Sequence, residues 1–222
     1  MKPVSEKNNF VYLTVGIILF LFVGALVDQF PGVLGYHLVQ AFSVITIVIG
    51  LFGFQSTDSW LFSRAGLSFL AIAAIITGIV LDMLELYYIH LLLLLLFYIW
   101  ATWVAAKQVL FAGAVDVNKV VGAICIYLLM GLIWTVMYLF IAQAVPGAFN
   151  GLEQLLWYDN FADAAYYSYV TLTTLGYGDI SPVAPIARFL VYMEAVVGVF
   201  YMAILVASLI GVGINESKRN GH

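Results

Sequence analysis

Charged positions cut this chain into long apolar runs. Twenty uncharged residues separate Lys7 from Asp28, and seventeen separate Arg64 from Asp82. Twenty-one lie between Glu85 and Lys107, ionisable only at His90. No charge occurs between Lys119 and Glu153, and Glu194 alone interrupts the run from Arg188 to Glu216. A helix needs about 20 mostly apolar residues to cross a bilayer. The pattern therefore predicts six spans, at 9–28, 33–54, 64–82, 86–106, 117–144 and 188–216. Pro31-Gly32 turns the chain between the first two, and Pro146 ends the fifth, because proline lacks the N–H that a helix must donate.

Composition agrees with that pattern. Of the 222 residues, 64% are hydrophobic and 9% charged, against about 25% charged in a soluble domain. The net charge of -4 gives no reason to expect a nucleic acid. The single cysteine, Cys125, lies in an apolar run and reads as a small buried hydrophobe. The run after Lys7 is too long for a signal peptide, and no small-residue cleavage site follows it. Six crossings place both termini on one side. With that side cytoplasmic, the inner segments hold Lys2, Lys7, Arg64, Lys107, Lys119, Lys218 and Arg219, and the outer ones hold only Arg188. This is the positive-inside pattern.

The stretch from Val145 to Ala184 fits no simple hairpin. It contains FADAAYYSYVTLTTLGYGDISP, helical in composition up to Thr174 and then glycine-rich around a tyrosine. It is too polar for a lipid-facing span. Irregular backbone at membrane depth is tolerated where protein surrounds it or where it lines a watery path. The expectation is a re-entrant loop, a short helix at about 160–172 followed by an extended strand.

The string TLTTLGYGD, Thr171 to Asp179, resembles the potassium-channel signature T-x-x-T-x-G-Y-G-D at every fixed position. The likeness is to the pore domains of prokaryotic potassium channels and covers roughly residues 117–215. It implies an all-α membrane protein with six transmembrane helices, a re-entrant pore helix and a selectivity filter, assembled as a homotetramer in the plasma membrane, the inner membrane of a prokaryote. It implies potassium ions as the bound species, with no organic cofactor. Thr174, Leu175, Gly176, Tyr177 and Gly178 become the ion-binding filter residues. A ring of carbonyls replaces the ion's water, and the glycines supply the left-handed backbone this requires. Tyr166, Tyr167, Thr171 and Asp179 become filter supports. Some family members pair the aspartate with a pore-helix glutamate; Val170 stands there instead.

By the same resemblance, Gly198 takes the place of the inner-helix hinge, 22 residues after Gly176. A glycine chosen for close helix contact is an equal alternative. Val199, Met202, Val206, Ile210 and Ile214 are gate candidates. Ala203, Ala207 and Gly211 read as a packing seam. Glu194 is ionisable within a span and is thereby a functional candidate, either as a structural hydrogen-bond partner or as a modulatory, proton-sensing group.

Residues 1–107 form a four-helix front unit, 108–119 a linker, and 120–222 the pore domain. The front unit occupies the place of a voltage sensor but lacks its charges. The fourth span has no arginine, and the second has no acidic residue. Sensors carry about 3–4 mobile charges per subunit, so no conventional voltage response is expected. The front unit could be a scaffold, or a site for lipid or an unidentified gating ligand. His90 and His37 read as satisfied packing residues. Eight residues follow Ile214, too few for a ligand-binding domain within this stretch. No metal-ligand cluster, nucleophile–base pair or phosphate loop suggests an enzyme. The alternatives are a transporter subunit, a non-conducting or modulatory channel subunit, and a less selective cation channel.

Overall fold

The computed structural model describes residues 9–29, 33–53, 84–110, 117–152, 157 and 159–220. Within them run α1 (Asn9–Gln29), α2 (Val33–Gly53), α3 (Leu84–Leu110), α4 (Val117–Ala144), β1 (Phe149–Asn150), α5 (Phe161–Leu172), β2 (Ser181–Pro182) and α6 (Pro185–Asn220). The long helices are apolar around their circumference, and each satisfies its backbone hydrogen bonds internally, as lipid demands. Among the described residues, segments at Phe10–Val27, Tyr88–Val109, Asn118–Ala144 and Pro185–Ser208 are long and apolar enough to cross a membrane. The span expected at 64–82 lies outside the described residues.

Helix ends follow local chemistry. α4 stops at Ala144, two residues before Pro146, and Gly147 then turns the chain at φ 69°. α3 continues to Leu110 and α4 begins at Val117; the rest of the expected linker at 108–119 lies outside the described residues. One small element in this helical fold is extended. β1 and β2 pair antiparallel, Phe149 opposite Pro182 and Asn150 opposite Ser181. The Val183 N–H adds a bond to the Ala148 carbonyl at 2.8 Å. This clasp joins the two ends of the segment between α4 and α6.

One apolar core runs through the front helices and into the segment after α4. Ile17 and Phe20 of α1, Leu91 and Phe97 of α3, and Leu129 and Leu132 of α4 are buried together with Trp157 and Phe161. Phe20 meets Phe161 at 4.7 Å between ring centroids, so α1 touches the first turn of α5 directly. A second, smaller core under the clasp gathers Tyr138, Phe149, Tyr167, Ile180 and Ala187. Cys125 is buried and free.

His90 differs from its expectation. It is packed, 2% exposed, with its ring 5.0 Å from that of Trp157. It is not satisfied, because neither ring nitrogen has a hydrogen-bond partner. The side chain of His37 lies outside the described residues.

Candidate functional site

α5 is a twelve-residue helix, FADAAYYSYVTL. Its small residues let it lie close to its neighbours, and Ala164, Ala165 and Ser168 are buried. Asp163 stands in the first turn, where a negative charge suits the helix dipole. At the other end Thr173 closes the helix, its N–H to the Tyr169 carbonyl at 3.0 Å and its hydroxyl to the same oxygen at 2.6 Å. A helix end leaves carbonyls without partners. One of them, that of Leu172, accepts a bond from the Tyr127 hydroxyl of α4 at 3.2 Å.

The chain then leaves the helix in a regular alternation. Thr174, Gly176 and Gly178 have φ of 61°, 56° and 83°, while Leu175 and Tyr177 between them do not take positive values. Alternation of hand at successive residues turns consecutive carbonyls toward one side. Glycine takes the left-handed region at little cost. A β-branched threonine there is a genuine outlier, and such strain persists only where the surroundings impose it. The Val170 carbonyl holds the start of this strand, accepting the N–H groups of Leu175 at 2.9 Å and Gly176 at 3.3 Å. Residues from Thr173 to Asp179 are exposed in the single chain, Leu175 at 56% and Tyr177 at 67%.

Tyr166 and Asp179 brace the far end of the strand. The Tyr166 hydroxyl donates to Asp179 Oδ2 at 2.6 Å, and the Ile180 N–H donates to Oδ1 at 3.0 Å. The Tyr166 ring also stacks on Tyr177, 6.4 Å between centroids and 6° between planes. The hydrogen bond from Tyr166 holds the Asp179 carboxyl below its usual range, and the N–H of Ile180 adds to that. Val170 carries no carboxylate to pair with Asp179, and the bond comes instead from the Tyr166 phenol one turn earlier. Tyr167 faces the opposite way, buried against Tyr138 at 5.2 Å and Phe149 at 5.8 Å. Thr171 is buried on the same helix.

Behind α5 lies a network that hydropathy could not reveal. Glu194 of α6 is fully buried. Its Oε1 is 2.6 Å from Ser168 Oγ, and its Oε2 accepts from the Tyr138 hydroxyl. Ser168 Oγ also lies 2.8 Å from the Gly131 carbonyl oxygen. Three further tyrosines also bond between elements. Tyr169 donates to the Leu128 carbonyl at 2.7 Å, Tyr127 to Leu172 as above, and Tyr201 to the Ala123 carbonyl at 2.6 Å. The signal was present in the sequence as tyrosines inside apolar spans, since a buried phenol seeks a partner.

Gly198 sits against the end of α5. A Cβ there would collide with the Leu172 carbonyl oxygen and lie 3.0 Å from the Leu172 side chain. Its observed use is this close approach. Val199, Met202 and Val206 are exposed on α6 at 53%, 44% and 49%. Ile210 and Ile214 belong to the same helix, and their side chains lie outside the described residues. No group of three potential metal-ligating side chains occurs among the described residues.

Comparison with known proteins bears on this half of the chain. Residues 122–214 match the family described as "Ion channel". The inward rectifier potassium channel Kirbac3.1 of Paramagnetospirillum magnetotacticum is 33% identical over 85 residues, 38% of this chain and 26% of that protein. The chain therefore spans about a quarter of the length of that relative. The segment matching an ion-channel family is the one that holds most of α4, all of α5, the alternating strand, Glu194 and Gly198.

Proposed function

We propose that this chain is one of four identical subunits of a potassium-selective channel in a cell membrane. Thr174 to Gly178 supply the ion-binding oxygens, and the chain has no enzymatic role. The observation that carries the reading is the alternation of backbone hand along Thr174–Gly178, in a string that resembles the potassium-channel signature. A dehydrated potassium ion needs a cage of oxygens, and a strand whose carbonyls share one side offers one wall of it. One chain contributes one such strand, so a closed cage calls for a cyclic assembly. Exposure of Leu175, Tyr177 and much of α6, including Phe200 at 64% and Ile204 at 58%, supports neighbours around them. The dipole of α5 adds partial negative charge near Thr173, where a cation would wait. With no arginine in α3, gating without a conventional voltage sensor completes the reading.

The test is ion flux from liposomes holding the purified full chain. Potassium should pass, sodium should not, barium should block, and Gly176→Ala should abolish flux. Equal passage of both cations by a folded tetramer would replace the selective reading with a weakly selective one. A folded protein that is not tetrameric and conducts neither ion would refute the channel reading.

A further inference from the structure

Ser168 has one hydroxyl proton and two close oxygen neighbours. Gly131 O lies at 2.8 Å and Glu194 Oε1 at 2.6 Å. If Glu194 were a carboxylate, Ser168 would have to donate to it. The contact with the Gly131 carbonyl would then be two oxygens with no proton between them. A protonated Glu194 resolves the arrangement. It donates through Oε1 to Ser168, Ser168 donates to Gly131, and Tyr138 donates to Oε2. Every proton then lies between two oxygens.

Charge gives the same answer. The titratable groups that Glu194 feels are Tyr127 and Tyr138 from α4 and Tyr167 and Tyr169 from α5, all phenols. Among the described residues no cation joins them. A buried carboxylate without a counter-charge is among the most costly arrangements in a protein interior.

We propose that Glu194 is a neutral carboxylic acid whose donated proton positions α5. Through it α6, α5 and α4 are joined at one point, two turns before the alternating strand begins. The group acts through Ser168 and touches no ion. It is therefore a positioning residue, and its part in conduction rests on the channel reading above. Loss of the proton would place a charge behind the strand, turn the Ser168 hydroxyl from Gly131 to Glu194, and remove one of the hydrogen bonds that hold α5 to α4.

The experiment is infrared spectroscopy of the full chain in lipid bilayers, paired with potassium flux across a pH series. At neutral pH the wild type should show a carboxylic-acid carbonyl band that vanishes in Glu194→Gln and shifts in Ser168→Ala. Absence of such a band would overturn the proposal whether or not the protein conducts. On raising the pH, wild-type flux should fall by tenfold or more as the band disappears. Glu194→Gln, which can still donate to Ser168 and accept from Tyr138, should keep its flux over that range. An identical alkaline loss in wild type and Glu194→Gln would overturn the positioning role even with the band present. Failure of the channel reading would instead appear as no flux at any pH, with the band still deciding the state of Glu194.

Discussion

The front helices and the helices around α5 are held by different forces. α1, α2 and α3 meet one another and α4 through apolar side chains. Thr46 bonds to the Phe42 carbonyl and Thr102 to the Tyr98 carbonyl, each back onto its own helix. Several of their buried polar atoms, in Thr14, His90 and Tyr98, have no hydrogen-bond partner. Around α5 the reverse holds. Tyr127, Tyr138, Ser168, Tyr169, Glu194 and Tyr201 all bond between elements. In lipid, apolar contact carries little drive for association, so packing shape and hydrogen bonds decide which helices meet and how. Apolar packing gathers the described front helices. Directional bonds fix an orientation, and around α5 they run between elements.

The largest effect should come from a cavity in the front half. Phe97 fills the space left by Gly50, whose Cβ would lie 2.7 Å from its ring. Phe97→Ala should lower stability by about 3–5 kcal/mol, measured by thermal unfolding in detergent. Potassium-over-sodium selectivity of the surviving protein should be unchanged. A loss of selectivity would break the division between the two halves.

Next comes overpacking beside α5. Gly198→Val forces a side chain into the Leu172 backbone. It should cost about 1–3 kcal/mol and, unlike Phe97→Ala, abolish flux from whatever protein folds. A third variant sharpens the role of the outer brace. The Asp179 carboxyl is held below its ordinary value by Tyr166. The hold is fully present above the ordinary carboxylate pKa of about 4 and is lost as pH falls through the lowered value. In Tyr166→Phe the acid loss of flux should move to higher pH. An unmoved acid limb would show that this bond does not govern the mouth. Smallest of all, Thr102→Val removes a bond from a helix to itself and should shift stability by no more than about 0.5 kcal/mol. A larger loss would mean that the hydroxyl reaches beyond its own helix.

These halves also differed in how far the sequence could be read. The expected span at 117–144 is α4 at Val117–Ala144, and the expected short helix at 160–172 is α5 at Phe161–Leu172. Both follow from local signals, apolar length and a proline or glycine stop. The β1–β2 clasp escaped, because two residues carry no periodicity. Glu194 was visible as an acid in a span, but its partners lie 26 and 56 residues away. No one-dimensional pattern encodes which phenol turns toward it. The replacement of a carboxylate pair by Tyr166 was likewise hidden, since Val170 announces only what is missing.

α6 runs unbroken for 36 residues, about 54 Å at the usual rise of an α-helix. The hydrocarbon of a bilayer is about 30 Å thick. The helix is therefore a lever, longer than the slab it crosses and pressed against α5 at Gly198. From Gly198 to Asn220 it extends about 33 Å. A tilt of about 10° about that contact would sweep its distal end through roughly 6 Å, wider than a helical turn. Small rotations beside the strand become large displacements at the far end.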